Sequence, residues 1–173
     1  MARTFSLIVA WGCTVVLAAG LCAALYFSID IESFADLATD NLDLRIQWST
    51  VTLAQWYGLW FLTCLHLGLG MGGVFFLRRA FSKFARGEFF NESNSRDLRL
   101  FSVLLFAQAF AKPVHHALSS VLLSWNHPAG QKVLSISLGS DELKVAMLAM
   151  ILWVISDMLV RGRELEHENQ QFV

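Results

Sequence analysis

Several side chains with chemistry stand where an apolar chain does not ordinarily place them. In the run at 100–125, Gln108, Lys112, His115 and Ser119 recur at i, i+4, i+7 and i+11 and so share one face of a helix. Pro113 interrupts that face and His116 flanks it. Another histidine, His66, lies near the middle of a second apolar run at 53–77. An ionisable group at bilayer depth is costly, which makes each of these a candidate for function. Two imidazoles from adjacent helices could ligate one haem iron. Lys112 beside Gln108 could line a solute path or hold an anionic ligand. Interhelical hydrogen bonding would account for the same residues with no ligand at all.

Depth along the helix sorts these options. Lys112 is roughly 15–18 Å from the inner end of its helix at a rise of 1.5 Å per residue, whereas Asp157 is only ~6 Å from its own inner end. A direct Lys112–Asp157 pair is therefore not expected, and Asp157 is expected to meet Arg161 at i+4. Lys112 needs another partner: Gln108, the carbonyl freed by Pro113, a hydrated cavity or an anion. His66 and His115 fall within ~3–5 Å of the same depth, which keeps haem b or a quinone open for that pair. His115 and His116 diverge by about 100° and make a poor metal pair. His127, in a turn, is expected to be solvated. Glycine-rich phosphate loops, nucleophile elbows and HExxH motifs are missing from the sequence, so neither an enzyme nor a metal centre is expected.

The elements that must position these groups read as a membrane scaffold. Hydrophobic residues make up 55% of 173, and the mean hydropathy is +0.52, outside the usual range of a soluble globule. Four spans are expected, at about 7–28, 53–77, 100–125 and 142–161, within one integral membrane domain, 1–173. A net charge of −1 leaves no basic surplus for direct nucleic-acid binding. Cys13, Cys22 and Cys64 lie in apolar runs and read as buried thiols. Gly12 and Gly20, and then Cys64, Gly68 and Gly72, form small-residue stripes suited to close helix packing.

Two connections alternate with period two. Leu42, Leu44, Ile46 and Trp48 are apolar between polar neighbours, as are Leu134, Ile136 and Leu138 between Ser135 and Ser137. Each reads as a half-buried strand, and pairing them predicts a small two-stranded cap. The preceding stretch, with Ile31, Phe34 and Leu37, suits a short interfacial helix. The connection at 78–99 is basic, with Gly87 a helix stop and Ser95 the expected N-cap of the next helix. Nine Lys and Arg residues fall on the side of that connection and three on the other. The positive-inside rule then places both termini and Arg78, Arg79, Lys83, Arg86 and Gly87 in the cytoplasm, the cap outside, and Trp48, Trp56, Trp60 and Trp125 at the outer interface.

Phe81, Phe84, Gly87, Glu88, Phe90, Asn94 and Arg99, with Gly162, Leu165 and Glu168 near the end, carry a resemblance. They are similar to the loop and closing motifs of a bacterial four-helix membrane family catalogued as domain of unknown function 2975. The family's usual Leu-Thr-Val or Leu-Thr-Ile finish is replaced by Gln171-Phe172-Val173. The resemblance implies four spans, a bacterial inner membrane and membrane-linked regulation beside a small helix-turn-helix partner. It brings no catalytic residues.

Together these readings predict an all-α transmembrane four-helix bundle with cytoplasmic termini and a two-stranded extracytoplasmic cap. The expected function is non-enzymatic: a regulatory or interaction protein presenting its basic loop and acidic tail (Glu164, Glu166, Glu168) to a partner or to lipid. A homo-oligomer is open. The alternatives are a haem- or quinone-binding electron-transfer subunit using His66 and His115, and a small transporter in which Lys112 and Gln108 line a path, with His116 and Ser119 completing the polar interior.

Overall fold

The structure, a computed structural model, describes residues 2–41, 46, 48–87, 92–128 and 130–171. Five α-helices follow in order: α1 (Ala2–Ile29), α2 (Ile31–Asn41), α3 (Leu53–Ala85), α4 (Glu92–Leu123) and α5 (Ser140–Gln171). A 3₁₀ turn, Trp48–Thr50, precedes α3. Three helices are long and apolar enough to cross a membrane, over Arg3–Ile29, Leu53–Ala85 and Ser140–Arg161, which marks the chain as a membrane protein. α4, with charges in its first turns and polar groups in its interior, is held between α3 and α5.

The long helices stand antiparallel in the order α1, α3, α4, α5, each packed on the next. Among the described residues no substantial contact joins α1 to α5, so the four do not close the ring that a bundle implies. An apolar hollow of 800 Å³, with Leu77, Phe81, Phe84, Leu152, Ile155 and Leu159 in its walls, opens there instead. Close approach of α3 to α4 relies on glycine. A Cβ on Gly58 would stand 3.0 Å from the Leu122 side chain, and buried Gly73 faces Phe101 and Leu104. The expected contact stripe shifts accordingly, because Gly68 has nothing within 4 Å of its Cβ position.

At the end remote from the basic residues, α1 stops where Asp30 caps α2. The Asp30 carboxylate accepts the Ser33 N–H at 3.2 Å and its hydroxyl at 2.6 Å. Those bonds hold its carboxyl below the ordinary 3.8. Ile31, Phe34 and Ala38 then face Leu59 and Trp60 of α3 and Leu123 of α4. Trp60 packs edge-on against Phe34 and Phe27, and its indole N–H donates to Ser28. The expected interfacial helix is thus α2, and its apolar face closes the core at that end. Trp48 stacks on Trp56 nearby.

Beyond α4 the expected cap is replaced by a different device. Residues 133–138 carry no strand, and residues 42–45 and 47, most of the other expected strand, lie outside those described. The period of two is real all the same. Leu134, Ile136 and Leu138 point outward, 67%, 63% and 76% exposed, while the backbone between them is held by α4. The Ser124 hydroxyl accepts the Val133 N–H at 3.0 Å and reaches the Val133 carbonyl at 3.1 Å. The Ser120 hydroxyl accepts the Ser135 N–H at 3.0 Å, and Nδ1 of His116 donates to the Ser135 carbonyl at 3.0 Å. His116, Ser120 and Ser124 stand at successive i+4 positions, a column of side chains doing the work of a neighbouring strand. His127, expected in solvent, is buried and donates from Nδ1 to the Gln131 carbonyl.

This ladder brings the chain back along α4, so α5 begins level with Lys112. That is about 16 Å below the end of α4 at helical rise. At the opposite end Gly87, at φ +87°, closes α3 as the sequence predicts. α4 begins at Glu92, before the expected N-cap Ser95, which is buried.

Ser124→Ala leaves the Val133 N–H without its acceptor, at about 1–3 kcal/mol. Hydrogen exchange in micelles should quicken across 131–139 while α4 stays protected; unchanged exchange there would contradict the ladder.

Candidate functional site

The polar face of α4 divides between two neighbours. Gln108 and His115 turn to α3. Nε2 of the Gln108 amide lies 2.9 Å from Nε2 of His66. An amide nitrogen only donates, so this imidazole nitrogen accepts and the proton of His66 sits on Nδ1. Nε2 of His115 is 3.3 Å from the Thr63 hydroxyl, which itself donates to the Leu59 carbonyl. His115 is therefore the donor. The two rings stand 5.3 Å apart between centroids and are tilted by 37°, so the depth match expected from sequence is met.

Two axial imidazoles on one iron need metal–nitrogen bonds of about 2 Å on opposite faces of a porphyrin, which sets their centroids roughly 6 Å apart with both Nε2 atoms turned inward. Here the rings are nearer than that, and each Nε2 is spent on a protein group. Among the described residues no cluster of three or more His, Cys, Asp or Glu could hold a metal ion. His66 and Gln108 do border an apolar groove of 770 Å³ between α1, α3 and α4, walled also by Gly20, Gly70, Met71 and Leu104. Nδ1 of His66 and Oε1 of Gln108 are buried with no hydrogen-bond partner among the described residues, as is the hydroxyl of Ser119.

Lys112 and His116 face the other way, toward the chain returning from α4. The partner of Lys112 is Glu142, at 2.5 Å. Neither Gln108 nor the carbonyl freed by Pro113 takes that place. Glu142 also accepts the Gly139 N–H at 2.8 Å, which caps the start of α5. The carboxylate is 7% exposed and the lysine side chain 59%. The separation of Lys112 from Asp157 is as expected, with Arg161 3.8 Å from the Asp157 carboxylate. Gln108 and Lys112 thus belong to two different contacts.

At the basic end the arginines and lysines also fall into two groups. Lys83 reaches Asp97 at 2.6 Å and the Ser93 hydroxyl and carbonyl, and Arg79 reaches the same Asp97 oxygen at 3.3 Å. Asp97 is buried, its side chain 4% exposed, so two cations from α3 neutralise one acid of α4. Arg99 lies over the Trp153 ring at 4.5 Å and fastens α4 to α5. Arg78 turns to α1, donating from Nε to the Thr14 hydroxyl at 2.8 Å. Arg86, the C-cap of α3 before Gly87, lies on the same side. Residues 88–91 and the side chains of 162–171 lie outside those described, and with them most of the loop motif and the acidic tail.

Two polar anchors were not singled out from sequence. Gln55 donates to the Leu122 carbonyl at 2.7 Å and accepts from Thr52 and Asn126, satisfying the last carbonyls of α4. Asp97 reads locally as an ordinary first-turn acid. A glutamine opening an apolar run could have signalled the first; nothing short of the α3–α4 register reveals the second.

Fold and site define a helical membrane protein with a polar interior and one strongly basic end. The chain matches no protein-family profile, no curated protein and no solved structure.

Lys112→Met takes the cation from the Glu142 carboxylate and leaves it the Gly139 N–H. Thermal unfolding in detergent, followed by tryptophan fluorescence, should show a clear drop for Lys112→Met and recovery of most of it in Lys112→Met/Glu142→Gln. Equal midpoints for the single variant and wild type would refute the pair.

Proposed function

We propose that this chain is a non-enzymatic, multi-pass membrane protein of regulatory or interaction type. In this reading α4 is a fourth span, both termini are cytoplasmic, and the basic end is offered to a cytoplasmic partner or to lipid in a bacterial inner membrane. The resemblance to the uncharacterised four-helix family points the same way and suggests a small helix-turn-helix regulator as the partner. The observation that carries the reading is the buried Asp97. It locks the ends of α3 and α4 together through Arg79 and Lys83, so that exposed Arg96 and its neighbours stand on a rigid surface. A photo-crosslinking residue at position 92 should trap a cytoplasmic protein in living cells, and Arg96→Glu should reduce the yield severalfold. Crosslinks to lipid alone, or none, would remove the partner from this proposal.

A second reading rests on Nδ1 of His66 and Oε1 of Gln108 beside the 770 Å³ groove. In an apolar site the Nδ1–H of His66 can donate to a carbonyl oxygen of a membrane quinone, and Oε1 of Gln108 can accept from the hydroxyl of its reduced quinol form. Quinone extracted from purified protein should fall at least severalfold in Gln108→Leu. Equal yields from both proteins would set this reading aside.

A further inference from the structure

We infer that the cleft between the N-terminal turns of α1 and the end of α3 is a binding site for the headgroup of an anionic phospholipid. This rests on the reading of the basic end as the cytoplasmic membrane face and assigns that end a specific ligand. The cleft holds 390 Å³ and is lined by Arg3, Arg78, Arg86 and Ser82 together with Leu7 and Trp11. Its volume falls in the range of small-molecule pockets.

Three features select the ligand. The first is charge. Among the described residues no carboxylate lines this cleft, whereas the neighbouring one between α3 and α4 contains Glu92 and Asp97 beside Arg79 and Arg96. The bond from Arg78 Nε to Thr14 fixes that guanidinium in the wall and commits only one of its five N–H groups. Planar guanidinium groups match phosphate oxygens in pairs. The second is the backbone: α1 starts at Ala2, so Arg3 joins the wall from the first turn, where a helix dipole favours anions.

The third feature is the surroundings. Leu7 and Trp11 form the wall on the α1 side, Trp11 is exposed, and above them Val15 and Val16 continue an exposed apolar strip along α1. A ligand held here has its charge among arginines and its hydrocarbon against that strip. A soluble phosphate would use the first and waste the second. The position of an exposed tryptophan between arginines and an apolar helix face is that of the headgroup boundary. Arg79 and Lys83, grouped with Arg78 and Arg86 by sequence, take no part, because Asp97 holds both.

Quenching of Trp11, read as the difference between wild type and Trp11→Phe in reconstituted vesicles, tests this directly. Bromine is carried either by phosphatidylglycerol alone or by phosphatidylcholine alone. Brominated phosphatidylglycerol should quench beyond its share of the bilayer. Arg78→Gln and Arg3→Gln should each lower that enrichment about fivefold, while Arg78→Lys retains most of it and shows the fold intact. Equal enrichment of both lipids overturns the site. So does relief of quenching by millimolar inorganic phosphate, which would assign a soluble anion. Loss in Arg96→Gln as large as in Arg78→Gln also overturns it, yet leaves the basic end as a diffuse attractor of anionic lipid and the broader reading standing.

Discussion

A chain that leaves a helix among apolar surroundings must take hydrogen-bond partners with it, because each unpaired backbone group there costs several kcal/mol. The rest of this structure depends on how α4 meets that demand. His116, Ser120 and Ser124 supply a column of side-chain donors and acceptors. The segment at 131–139 can therefore run back along the helix as a single stretch of chain without a sheet. Leu134, Ile136 and Leu138 are left free to face outward. The return sets the start of α5 beside Lys112 and so brings Glu142 within reach of it. Polar residues that look misplaced in an apolar helix are the partners that this backbone requires.

The opposite end obeys a related constraint. A buried carboxylate persists only when it is paired and hydrogen-bonded, and Asp97 takes both Arg79 and Lys83. That pairing costs the basic surface two of its cations and sets the register of α3 on α4. What remains on the α1 side is a cleft of arginines with no acid among the described residues of its walls. One run of basic residues thus serves two ends, structural on one face of α3 and accessible on the other. The division follows helix geometry, since Arg78 and Arg79 point about 100° apart.

Much of the scaffold was legible in the sequence. Apolar runs of bilayer length foretold α1, α3 and α5, and Gly87 and Asp157–Arg161 fell as expected. His66 and His115 met because rise per residue alone equates their depths. The cap failed for an instructive reason. A period of two reports that alternate residues face a partner, and it carries no information on whether that partner is a strand or a column of helix side chains. Reading residues 133–138 as half of a sheet placed Glu142 at the membrane surface, too far from Lys112 to be considered. Whether the four long helices close on one another was not legible either, since nothing in an apolar helix tells whether its exposed face meets lipid or another helix.

The sequence by itself determined that this is a helical membrane protein with its positive charge gathered at one end. Hydrophobic length and charge placement are one-dimensional quantities, and the bilayer reads them directly. Only the tertiary structure decided which polar groups meet: Gln108 with His66, Lys112 with Glu142, Asp97 with Arg79 and Lys83, Gln55 with the last carbonyls of α4. Each pair joins residues distant in the chain, and each depends on a register set by glycine contacts and backbone hydrogen bonds that no local pattern records.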